Sequence, residues 1–351
     1  MTKVMKYILP LIIAVLSVNI LFAQDIHFSN MNETPVVLNP ALSSTAYDTR
    51  AIVNYKSQWA SVSAPYQTYG FSIERAINHL KVRKRYWGVS LTAYNDKAGD
   101  LGVGSLSAQL GINFITKITR FAKLSGGIGG GVAYRTLGNA TKARWESQYN
   151  GYNYDASLNA GETTPRSSFL QGDYAVGIDY HYARTDKTIS SQDAISYDIG
   201  VSAFHFTVPK LNYLTNTDRQ YTKVVFHTNF SIGIKNAGMT VLPSLIYMRQ
   251  GPAQLINGGL MFKRVFKSSS VYTQGSKPFA FAIGAFYRWN DAIIPSLLIE
   301  LDKYALGFSY DLNISKLKTA SKLNGGMEVS LRFNMSPGYG QALGNNLGRE
   351  R

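Results

Sequence analysis

From about residue 50 onward, apolar and polar positions alternate with a period of two. Leu106, Ala108, Leu110, Ile112 and Phe114 share one face of residues 105–114; Ser105, Ser107, Gln109, Gly111 and Asn113 share the other. Residues 87–94, 304–313 and 327–333 repeat the pattern. Successive side chains of a strand point to opposite faces, so this periodicity predicts strands with one apolar side. Fourteen segments carry it: 50–57, 66–75, 86–95, 103–116, 123–135, 168–183, 194–207, 221–234, 239–249, 257–266, 279–289, 293–301, 304–313 and 325–334.

Most of these segments are long enough for a tilted membrane-spanning strand, which needs ~9–11 residues, whereas strands of globular proteins average ~5–6. Long strands with one apolar and one small polar face suit a barrel in lipid, where every backbone group must find a partner. A secreted β-sandwich would also alternate, but its strands would be shorter. Aromatics gather near the predicted strand ends, among them Tyr55, Trp87, Tyr134, Tyr182, Tyr247, Trp289 and Tyr304, as in the two girdles of an outer-membrane barrel. The expected fold is all-β, a 14-stranded antiparallel transmembrane barrel over 50–334. Its inner face is expected to be Gly, Ser, Asn and Asp.

The connections predict sidedness. Asp302-Lys303 and Lys235–Gly238 read as tight turns, and 136–167 and 208–220 as long outer loops if the chain starts on the periplasmic side. Residues 76–85 and 267–278 are long for periplasmic turns, which predicts strand ends inside them. Pro35 and Pro40 keep 24–49 from being a strand, so this N-terminal segment is expected to thread into the lumen as a plug. The Gly/Asn-rich 335–351 reads as a tail.

Residues 1–23 have Lys3 and Lys6, an apolar run from Tyr7 to Phe22, and Ala23 before Gln24-Asp25. This is the pattern of a secretory signal peptide cleaved after Ala23. The formal net charge of +15 becomes +13 without those two lysines. The cations are scattered, so no nucleic-acid partner is expected. With no cysteine, disulfides, thiolate metal sites, thiol chemistry and a lipid anchor on Cys are excluded.

Candidate chemistry is sparse. The five histidines, His27, His79, His181, His205 and His227, lack metal-ligand spacing, although His205 and His227 fall on adjacent predicted strands. His227, Asn229 and Ser231 share a strand face, a weak pattern for a barrel esterase. Asn95–Asp100 lacks the ligand set of a calcium loop and reads as a turn. Gly126–Gly131 has no following Lys-Ser/Thr and no helix, so it is not a phosphate loop. Its glycines fit close packing against a plug, or a bend. No catalysis, cofactor or metal is expected. Trp59, Trp145, Tyr149, Tyr152, Tyr154 and Tyr213 are candidates for a partner surface, because rigid aromatics dominate binding hot spots.

One resemblance runs through the chain. Gln24, Asp25, Phe28 and Ser29, then Leu38-Asn39-Pro40-Ala41, Arg50 and Gln58-Trp59, resemble the opening of the PorP/SprF family, outer-membrane proteins of the type IX secretion system of Bacteroidota. Asn95-Asp96 with Gly99, Gly172-Asp173, Tyr287-Arg288 with Asp291-Ala292, Ser309–Asp311 with Ile314-Ser315, and Gly325-Gly326 with Glu328 follow in order. The resemblance implies a barrel similar to the long-chain fatty-acid transporters. It marks Phe28, Asn39 and Pro40 as the N-terminal motif. It implies a non-enzymatic role in exporting and anchoring a large surface adhesin with a type IX C-terminal domain, with outer-membrane lipid and a periplasmic peptidoglycan-binding protein as further partners. The alternative is an outer-membrane transporter for small hydrophobic ligands.

Overall fold

The computed structural model describes residues 25–62, 64–77, 84–138, 144–159, 168–184, 194–211, 219–235, 237–267, 277–316 and 318–335. Residues 1–23, most of the expected tail and Tyr213 lie outside them. Fourteen antiparallel strands close into one barrel in sequence order. They are β1 (Thr49–Gln58), β2 (Tyr66–Ile77), β3 (Arg85–Ala98), β4 (Val103–Lys117), β5 (Ala122–Thr136), β6 (Ser168–Arg184) and β7 (Ile195–Phe204). β8 (Lys223–Ile234), β9 (Met239–Gln250), β10 (Ala253–Lys267), β11 (Phe279–Arg288), β12 (Ala292–Leu301), β13 (Tyr304–Asn313) and β14 (Asn324–Met335) complete it. Ten residue pairs, from Thr49↔Met335 to Gln58↔Gly326, join β1 to β14, so no strand edge is left open.

The alternation faces outward. Leu106, Leu110, Ile112 and Phe114 of β4 are 36–65% exposed, while Ser107 and Asn113 on the other side are buried. A soluble protein would not tolerate such an apolar exterior, and a barrel in lipid requires it.

The inner face is more varied than expected. It carries Lys56, Glu74, Asp173, Asp179, Arg288, Asp311, Glu328 and Arg332, all buried. It also carries an apolar cluster of Met261, Ala282, Phe286, Ala292, Ile294, Leu298 and Ala305, which corrects the expectation of a small polar wall. β12 turns Ala292, Ile294 and Leu298 inward along with Ser296 and Glu300, and Ile293, Leu297 and Ile299 to the other side, so its alternation is weak.

Pro243 in β9 and Pro295 in β12 lack an N–H, and the ladder opens beside each. β8–β9 pairing passes from Asn229↔Ser244 to Ile232↔Val241, and β12–β13 pairing from Ile293↔Leu312 to Ser296↔Ser309.

Several borders differ from expectation; β2 runs on to Ile77 and β3 to Ala98. β7 stops at Phe204 because His205 and Val208 turn away with positive φ of 55° and 49°. β8 begins at Lys223. β10 begins at Ala253, directly after a Gly251-Pro252 turn. Gly251 has φ 58°, and the proline ring fixes a negative φ next to it, the arrangement of a tight type II′ hairpin.

We call the end bearing Thr49 and Met335 the near end. The long connections 137–167 and 205–222 lie at the far end, and the short 118–121, 235–238 and 302–303 at the near end. Connections 251–252 and 289–291 at the far end are also short, whereas at the near end strand ends lie inside 76–85 and 267–278, which leaves connections 78–84 and 268–278.

Residues 25–48 are not a strand. They form three short helical turns, Met31–Glu33, Pro35–Leu38 and Pro40–Leu42, and almost all of Phe28–Thr45 is buried. Asp48 is fixed at the near end, where its N–H donates to the Met335 carbonyl (3.1 Å) and its own carbonyl accepts from Ala76 (2.7 Å). Asp25 lies beside Lys223 and Gln250 at the far end. The segment therefore runs the length of the barrel inside the ring of strands.

Candidate functional site

The interior segment has little regular structure, so its backbone polar groups need partners from the wall. Irregular backbone at membrane depth is tolerated only when buried in protein. The wall supplies them. Lys56 Nζ donates to the His27 carbonyl (2.9 Å), Asn113 Nδ2 to those of Ala41 (3.0 Å) and Ser43 (2.6 Å), and Ser125 Oγ to that of Ala41 (2.7 Å). Ser202 Oγ donates to Leu38 (2.5 Å) and Lys123 Nζ to Thr45 (2.6 Å). In the other direction, the Ser29 N–H donates to Glu328 Oε2 (2.5 Å). Asn32 reaches Ser244, and Glu33 is paired with Arg332 (2.6 Å).

The motif residues sit at the tightest of these contacts. Asn39 is wholly buried. Its Nδ2 donates to the Ile178 carbonyl (3.0 Å) and meets His227 Nε2 (3.0 Å), and its Oδ1 accepts from the Ala41 N–H (2.9 Å). Three wall glycines make room. A Cβ at Gly127 would come within 2.6 Å of the Pro40 and Ala41 backbone, one at Gly177 within 2.0 Å of Asn39 Oδ1, and one at Gly200 within 2.8 Å of Asn39 Nδ2. Phe28, 2% exposed, lies over Gly70 in the same way.

Charge is organised in paired clusters. At the far end His205 bridges two carboxylates, with Nδ1 at 2.6 Å from Asp173 and Nε2 against Asp25. Lys223 (3.3 Å), Gln220 (3.0 Å) and Arg135 (3.9 Å) also face Asp25. Burial alone would raise the Asp25 pKa, but Lys223 and His205 outweigh it and hold the carboxyl far below its ordinary range. Burial alone would lower His205, and hydrogen bonds to Asp173 and Asp25 outweigh it, so its pKa is raised. His27 is pushed well below its ordinary value by burial, with Lys56 adding to the effect. Elsewhere Arg288 bonds Asp291 (2.5 Å) and Asp311 (2.7 Å), Arg332 bonds Glu33 and Glu300, and Arg50 bonds Glu74. Among the described residues no His/Cys/Asp/Glu group is arranged to hold a metal.

Several candidate chemistries resolve into contacts of this kind. His205 and His227 do not meet. His227 lies opposite Gly200 in the ladder and is engaged by Asn39, whereas His205 lies beyond β7. The rest of the esterase pattern, Asn229 and Ser231, stays on β8. Asp96 lies within β3 and accepts from Thr68 Oγ1 (2.6 Å), and Gly99 and Gly102 make the turn with φ of 64° and 65°.

The described aromatic candidates lie at the far end. Trp59 has a positive φ of 57°, a costly conformation for a bulky residue. It is held by its N–H to the Gly325 carbonyl (2.7 Å) and by edge packing on Tyr66 at 4.8 Å. Between β5 and β6, Tyr149 and Tyr154 pair as an isolated bridge, with rings 5.8 Å apart. Gln148 Nε2 donates to the Leu158 carbonyl (3.1 Å), Tyr154 Oη donates to Gln148 Oε1 (3.3 Å), and Arg144 covers the Tyr154 ring. The loop thus packs on itself and half-buries Trp145 and Tyr154, while Tyr149 (53%) and Tyr152 (96%) project outward. Alternation does not mark the charged pairs. Their one signal was ionisable residues at inward positions, such as Glu74, Asp311, Glu328 and Arg332.

A family model described as "Type IX secretion system membrane protein PorP/SprF" matches residues 20–333. No curated protein matches the sequence. Among solved structures, the chain is similar to CdiB from Acinetobacter baumannii at 8% identity and a TM-score of 0.41, covering 82% of this chain and 60% of that one. It is also similar to BamA from Haemophilus ducreyi lacking POTRA domains 1–3, at 8% identity and a TM-score of 0.40, covering 82% and 70%.

Proposed function

Because the chain belongs to the PorP/SprF family of type IX secretion system membrane proteins, we propose that it is an accessory barrel that holds one large secreted adhesin at the cell surface. It is an outer-membrane barrel of that secretion system, and its family is one of secretion or transport rather than of enzymes. Secreted cargo and the secretion machinery are its partners at this level. The finer reading is that the N-terminal segment is a plug, the lumen is not the export route, and the far-end loop between β5 and β6 is the outer contact surface.

One observation carries this reading. Wall groups from β1 to β10 and from β14 hold residues 25–48 along the whole barrel, which supports a reading in which cargo is met outside it. Tyr149 and Tyr152 then offer rigid aromatic area at low entropic cost. A periplasmic peptidoglycan-binding partner would sit at the near end.

Shortening 144–159 to a Gly/Ser linker tests the reading. The barrel should still fold, shown by its heat-dependent gel migration, while the adhesin is lost from the cell surface. Normal adhesin retention without the loop would sink the assignment of this surface.

A further inference from the structure

Three arginines stand on the apolar outer face within a few residues of the near end. Arg75 projects between Ile73 and Ile77, which are 38% and 42% exposed. Arg264 projects between Phe262 and Phe266, with its guanidinium 5.6 Å from the Phe266 ring centre. Arg85 follows on β3, two positions from Trp87, whose ring packs on Phe114 at 5.0 Å. Ile77 lies directly across from Trp87, so Arg75 and Arg85 flank one apolar row from either side. Exposed Lys84, Arg120 and Lys303 continue the basic rim on the turns. Of the acidic residues nearby, Glu74 and Asp198 face inward, on Arg50 and His181, Asp48 is half-buried, and Asp302 is exposed beside Lys303.

A guanidinium on the lipid face costs ~2–4 kcal/mol at the bilayer centre and ~0–1 near the interface. Each of these side chains therefore extends to the headgroup layer, whose depth the adjacent aromatic rings fix. There a guanidinium bonds a phosphate through two parallel N–H groups. A zwitterionic headgroup brings its own ammonium to the same place. A headgroup of net negative charge does not, so the basic rim favours it.

We propose that the near-end outer wall binds phospholipids of net negative charge at two sites, one at Arg75 and Arg85 and one at Arg264. The phosphate sits on the guanidiniums, and the acyl chains lie along Ile73, Trp87 and Phe262. With the long loops outside, these sites lie in the periplasmic leaflet and hold the barrel at a fixed depth.

The full chain, reconstituted in vesicles of equal phosphatidylethanolamine and phosphatidylglycerol, is extracted, and its retained lipids are counted by native mass spectrometry. The unmodified chain should retain phosphatidylglycerol preferentially. Arg75→Gln/Arg85→Gln/Arg264→Gln should weaken that preference about tenfold or more. Lys316→Gln/Lys318→Gln, on the far-end connection, should keep it. Arg264→Gln alone, read in the same way, removes one of the two sites should the triple variant fail to fold. Equal retention of both lipids, an undiminished preference in the arginine variants, or preferential retention of lipid A when it is offered alongside would each overturn the proposal.

Discussion

Asn39 shows how much one side chain does when a short polar group is enclosed. Its amide satisfies a strand carbonyl, a histidine and the next turn of its own segment at once. Each such bond contributes about 1 kcal/mol net, and a buried partner left unsatisfied costs about 1–3 kcal/mol more. Asn39→Ala should therefore destabilise the fold by about 2–4 kcal/mol, read as a lower urea midpoint in detergent. A variant with an unchanged midpoint would show that the contact carries little.

The Asp25–His205–Asp173 bridge gives a pH dependence with a definite sign. His205 is raised above its ordinary 6.5, so its contribution is full below that value and is lost as pH rises through the raised pKa. Asp25 is depressed below 3.8, so its contribution is present above that value and is lost only in acid. The bridge is firmest from about pH 4 to 6.5. The unmodified protein should unfold at lower urea at pH 9 than at pH 5.5. His205→Gln should shrink that difference, and an undiminished difference would locate the pH effect elsewhere.

At the scale of the element, local chemistry sets the strands and the turns end them. Gly251 meets its neighbours with a positive φ that costs a side chain about 1–2 kcal/mol, and an added Cβ would lie within 2.7 Å of the Tyr221 ring. Gly251→Val should loosen the β9–β10 hairpin, seen as faster amide exchange at Ala253 and Gln250. Unchanged exchange there would mean that the turn has another low-energy form. This Gly-Pro pair is a turn signal in the sequence, and it places the start of β10 at Ala253 rather than at 257. The end of β7 had no such signal, because His205 leaves the strand to reach Asp25, far away in the chain.

On the scale of the molecule, the proposed plug makes a prediction about what the barrel transmits. Deleting 25–48 should turn an electrically silent barrel into a conducting one in planar bilayers, with heat-dependent gel migration confirming that it still folds. Equal conductance of the full and deleted forms would argue that the segment does not seal the lumen. Gly127→Val, whose side chain would press into the Pro40-Ala41 backbone, should give intermediate openings.

Alternation was enough to place all fourteen strands, and to say which face of most of them meets lipid. The reason is local. The two sides of each strand meet different media along their whole length, and that difference is written residue by residue. β12, mostly apolar on both sides, is where the signal is weakest. What only the folded barrel decides is which inward groups meet. Asn39 and His227 are separated by 188 positions, and Arg332 and Glu33 by 299. No periodicity records such pairings, because they form when the closed ring brings its wall around the segment inside it.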